Sequence, residues 1–102
     1  MSNHASNEWS VHVEGSGPSG SVLYHENAGC ISFYWEFGGR DTVVIIHVDD
    51  QAAWSTRHPW ATERRREILQ RVASEIVRQK APTCRADIDE QHGYIYVREH
   101  AA

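Results

Sequence analysis

The chain has little cysteine, methionine or proline: two, one and three residues of 102. Cys30 and Cys84 can make at most one bridge, which excludes a disulfide-stapled scaffold. No apolar run approaches the ~20 residues that a membrane helix requires. The start, Met-Ser-Asn-His-Ala-Ser-Asn-Glu, lacks both the positive region and the apolar stretch of a secretory leader. The expected compartment is therefore the cytoplasm, with both thiols reduced and serving as small buried hydrophobes. A basic excess is missing as well. The net charge of −4, with histidine neutral, provides no electrostatic reason to sit on nucleic acid or an anionic membrane. That sign is labile, since protonating all seven histidines would bring the total to +3.

What is present suffices for one core. The composition is 40% hydrophobic with four tryptophans, and a chain of this length forms one domain that buries roughly two-thirds of its unfolded surface. Residues 1–8 are polar and read as a flexible N-terminal segment, leaving 9–100 as the domain. Trp9, Val11 and Val13 alternate with Ser10, His12 and Glu14, the period of two of a half-buried strand. A Gly/Ser/Pro turn over 15–20 precedes a second strand at 21–26. Residues 30–37 alternate most clearly, with Ile31, Phe33, Trp35 and Phe37 on one face and Cys30, Ser32, Tyr34 and Glu36 on the other. Gly38-Gly39-Arg40-Asp41 suits a tight hairpin into 42–48, whose apolar residues on both faces predict a central strand.

Residues 49–58 read as a polar loop. Pro59 suits the first position of a helix that Pro82 stops near Lys80. Ile68, Leu69, Val72, Ala73 and Ile76 form its apolar stripe. Arg65 falls inside that stripe, where a charge needs a partner. The nearest acids are Asp49 and Asp50, so Arg65 is expected to tie the helix start to that loop. Residues 84–89 and 94–99 complete an α+β domain of order ββββαββ. It is a mostly antiparallel sheet with one long amphipathic helix on one face.

A single helix covers one face of a sheet. It should cover Ile31, Phe33, Trp35 and Phe37, leaving His12, Tyr34, Glu36, His25, Tyr94 and Tyr96 on the other face. Tyrosine-rich surfaces suit protein contacts. The loop leading into the helix adds Trp54, Arg57, His58 and Trp60, and tryptophan and arginine are the usual interface anchors.

Other chemistry is less well supported. Gly15-Ser-Gly17-Pro-Ser-Gly20 matches G-x-G-x-x-G, but a strand follows it where phosphate binding needs a helix N-terminus. His12, Glu36 and His47 are zinc-type ligands on separate strands, without the short-range pair that anchors most sites. No histidine is placed beside a cysteine, and no elbow motif supports a serine nucleophile. Residues 57–85 hold eight basic against three acidic residues, so the rest of the chain is strongly acidic. The expectation is a non-enzymatic protein-binding domain without a cofactor. It would be a small bacterial-type inhibitor or immunity-like protein that binds another protein or itself as a homodimer, with neither nucleic acid nor membrane as a partner. The alternative is a small enzyme or metal- or ligand-binding domain using the His/Tyr/Glu face.

Overall fold

The computed structural model describes residues 8–100, apart from the side chain of Ser16. The segment expected to be flexible, 1–8, lies outside the described residues except for Glu8. Six strands, β1 (Trp9–Ser16), β2 (Ser19–Glu26), β3 (Gly29–Phe37), β4 (Thr42–His47), β5 (Cys84–Asp89) and β6 (Tyr94–Glu99), form one sheet. Its order is β1-β2-β3-β4-β6-β5, and every neighbouring pair is antiparallel. The aromatic strand and the apolar run after it are thus the two central strands.

Between β4 and β5 the chain makes a short helix α1 (Gln51–Arg57), a 3-10 turn over Pro59–Arg64, and the long helix α2 (Arg65–Lys80). Helix α1 corrects the expected loop. Asp50 caps it, its carboxylate accepting from the Ala53 N–H at 2.9 Å, and His58 ends it because a residue before proline disfavours the helical region. Within the 59–64 turn the Ala61 carbonyl accepts the Trp54 indole N–H at 2.8 Å, which ties the turn to α1.

Ile68, Leu69, Val72, Ala73 and Ile76 of α2 are buried against Val11, Val22, Ile31, Phe33, Trp35, Ile46, Ile95 and Val97 of the sheet. Burying each such large side chain stabilises the fold by about 1.5–3 kcal/mol. Phe37 departs from the expectation. It lies at the end of β3 and is 57% exposed, its ring centroid 5.7 Å from that of Trp35. Cys30 is likewise exposed instead of buried; Cys84 is buried, and both are free thiols.

The glycine-rich turn seats an indole. A Cβ on Gly15 or Gly20 would collide with the facing strand and with Trp35. With hydrogens in those places, the Trp35 ring lies across the β1–β2 hairpin and its Nε1 donates to the Glu14 carbonyl at 2.9 Å.

A buried ionic cluster fastens α2 to β2, and nothing in the local pattern announces it. The Glu26 carboxylate accepts both terminal nitrogens of Arg64 at 2.8 Å and the Tyr24 hydroxyl at 2.6 Å. Arg71 in turn donates to the Tyr24 oxygen at 2.8 Å. The hydrogen bonds from Arg64 hold the Glu26 carboxyl below the usual carboxylate range, while burial pushes the Tyr24 hydroxyl up.

Candidate functional site

The sheet face opposite the helices has no cover among the described residues. The strand register sets two rows across it. Tyr34, His47, Tyr94 and Asp89 pair in sequence along one row, and Glu36, Ile45, Tyr96 and Asp87 along the next. The rings form a continuous chain, with centroids separated by 5.2 Å (Tyr34–His47), 5.3 Å (His47–Tyr94) and 5.7 Å (Tyr94–Tyr96). Tyr34 is 49% exposed. Across the two rows His47 Nε2 lies 2.6 Å from Glu36 Oε2. At the far side the Arg98 guanidinium stacks 4.8 Å over Tyr96 and reaches Asp87 at 3.1 Å.

The zinc-type set does not assemble. Glu36 and His47 meet, but His12 sits on β1, three strand spacings or about 14 Å from β4. It lies 3.5 Å from Glu14 instead. Among the described residues no group of three or more His, Cys, Asp or Glu side chains is placed to hold a metal ion. His25 is opposite Cys30, also away from the pair.

Beside the aromatic rows lies a cleft of about 310 Å³, lined by Ser21, Ser32, Tyr34, His47, Asp49, Arg57 and His58, with Phe33 and Trp54 below. It exists because the sheet splits. β3 pairs with β4 only from Tyr34 to Phe37. Beyond His47 the chain turns towards β6, the Val48 N–H donating to the Gly93 carbonyl at 2.7 Å, and then enters α1. Arg57 faces solvent and reaches Asp49 at 3.3 Å. Burial holds the His58 imidazole below its ordinary pKa, against the opposing pull of Asp49.

The loop residues thus divide. Arg57 and His58 join the cleft. Trp54 does not serve as a surface anchor: it is 1% exposed and stacks on Phe33. Trp60 is half-buried against Gly29, where a Cβ would fall 2.7 Å from its ring. Arg65 is 4% exposed and donates to the carbonyls of Asp49 at 2.8 Å and Glu90 at 2.9 Å. Its partners are backbone oxygens; the closest carboxylate is Glu90 at 3.9 Å, while Asp50 is engaged as the α1 cap. Arg65 therefore holds in place the segment that presents Asp49 to the cleft.

The basic excess over 57–85 is not a free patch. Arg64, Arg66, Arg71 and Arg78 each have a carboxylate at 2.8 Å, and Arg85 has one at 3.6 Å. No described helix is long and apolar enough to cross a membrane. No family model, curated protein or solved structure matches the chain.

Proposed function

We propose that this is a non-enzymatic interaction domain whose contact surface is the open sheet face, and that a second copy of the chain is a partner it takes. The observation that carries the reading is the uncovered row of rings Tyr34–His47–Tyr94–Tyr96, with Leu23 and Ile45 on the same face. Half-buried aromatics with polar tips are the side chains that protein contacts favour.

A two-fold axis running along the strands would lay the aromatic rows of one copy over those of the other, an isologous contact with the Tyr34–His47 pair at its centre. Six strands at ~4.8 Å spacing present a face of the order needed for a standard interface of ~800 Å² per partner. Light scattering of the full chain, alongside a Tyr34→Arg/Tyr96→Arg variant, tests the reading. A dimer that the variant converts to monomer supports it.

A further inference from the structure

The free half of β3 is a sheet edge inside the molecule. Gly29–Phe33 pair with β2 on one side and with no strand on the other, because β4 has already departed. The direction of the backbone groups follows from two bonds. The Phe37 N–H donates to Pro18 on the β2 side, and the Gly38 N–H donates to Val43 on the β4 side. In an antiparallel strand the direction alternates by residue. Ser32 and Cys30 therefore point their N–H and C=O groups into the split, about 6.8 Å apart. Among the described residues neither has a backbone partner there.

We infer that the cleft takes a short extended peptide carrying a carboxylate, added as a strand to Cys30–Phe33, with the carboxylate meeting Arg57. Three features select this occupant. Unpaired alternate backbone groups are what strand addition uses for affinity. The Arg57 side chain lines the cleft, is 67% exposed and, among the described residues, has one ion-pair partner, Asp49, through Nη1 at 3.3 Å; the other donors of its fork are without an ion-pair partner, and such forks match carboxylates. Finally, the free edge runs only from Gly29 to Phe33 before the Tyr34–His47 pair closes it, so the occupant is short. A volume of about 310 Å³ stands at the small end of ligand pockets. Phe33 and Trp54 supply an apolar floor beneath it. The inference rests on reading the domain as a binding module, not on the dimer.

The test is an amide NMR titration of the full chain with three mixtures of N-acetyl tetrapeptides. One ends in free carboxylates, one is amidated and contains a single glutamate, and one is amidated without acidic residues. Saturable shifts at the Ser32 and Cys30 amides are expected with the first or second mixture and not the third, and which of the two acts identifies the source of the carboxylate. Arg57→Gln should weaken that binding at least about tenfold, while Gln70→Ala, on the outer side of α2, leaves it unchanged. Absence of shifts up to ~10 mM peptide, weaker than any useful affinity, overturns the inference. Equal response to the neutral mixture, or an unaffected Arg57→Gln variant, also overturns it. A monomeric chain that shows the shifts would remove the dimer and keep the cleft; a dimer without shifts would do the reverse.

Discussion

Arg64 grips Glu26 through two parallel hydrogen bonds of 2.8 Å across 38 positions of chain, and the Glu26 side chain is only 6% exposed. Removing Glu26 leaves the Tyr24 hydroxyl without its acceptor and Arg64, 32% exposed, with Glu67 as its remaining partner. Glu26→Ala is expected to destabilise the fold by about 1–3 kcal/mol in urea unfolding. Glu75→Ala, at an exposed pair with Arg78, should barely move the midpoint. The same pair sets an acid response. Hydrogen bonds from Arg64 lower the pKa of Glu26 and, to the same side, of Glu67. A carboxylate lowered in the folded state binds fewer protons there than in the unfolded chain. Its stabilisation is complete above the unfolded value of ~4.3 and is lost as pH falls from there through the folded value. Glu26→Gln should flatten the stability–pH curve in that window.

Arg65 holds two carbonyls from separate loops, Asp49 before α1 and Glu90 in the β5–β6 turn. Arg65→Met keeps the stem's packing and removes both bonds, leaving two oxygens without their donor. A loss of about 2–4 kcal/mol is expected, measured by thermal or urea unfolding. Arg66→Ala, whose side chain is largely in solvent beside Glu90, should cost less than about 1 kcal/mol. Arg64 is not a suitable neutral neighbour for comparison, because it is itself the Glu26 partner.

Gly93 has φ +82°, and a Cβ there would run into the Val48 carbonyl. Its own carbonyl receives the Val48 N–H that draws the chain away from β3. Gly93→Ala should therefore cost about 1–3 kcal/mol. The loss should be accompanied by faster amide exchange at Val48, read by hydrogen-exchange NMR, since the contact that opens the cleft is the one disturbed.

The frame of this fold is legible in the residues themselves. The alternation at 30–37 and the two-sided apolar run after it mark the central hairpin, and the stripe Ile68–Ile76 marks the covering helix with Arg65 set among its apolar residues. The rest depends on pairings that local pattern does not encode. Asp49–His58 reads as loop because its seven-residue helix buries only Trp54, too little for a periodic signal; Asp50 as a cap and Pro59 as a stop were the available signs. Glu26 ends its strand and so looks solvated, and only the packing of α2 makes it buried. The cleft arises from where β4 parts from β3, a matter of register. His12 falls away from Glu36 and His47 for the same reason, since strand order decides which histidines meet.

The most direct test of the central claim is the solution mass of the full chain by light scattering at 10–100 µM, in the range where standard-sized contacts are populated. The account predicts a particle of twice 11.6 kDa that returns to 11.6 kDa when Tyr34 and Tyr96 are both changed to arginine. A particle of 11.6 kDa at every concentration, or a dimer indifferent to those two substitutions, would contradict it.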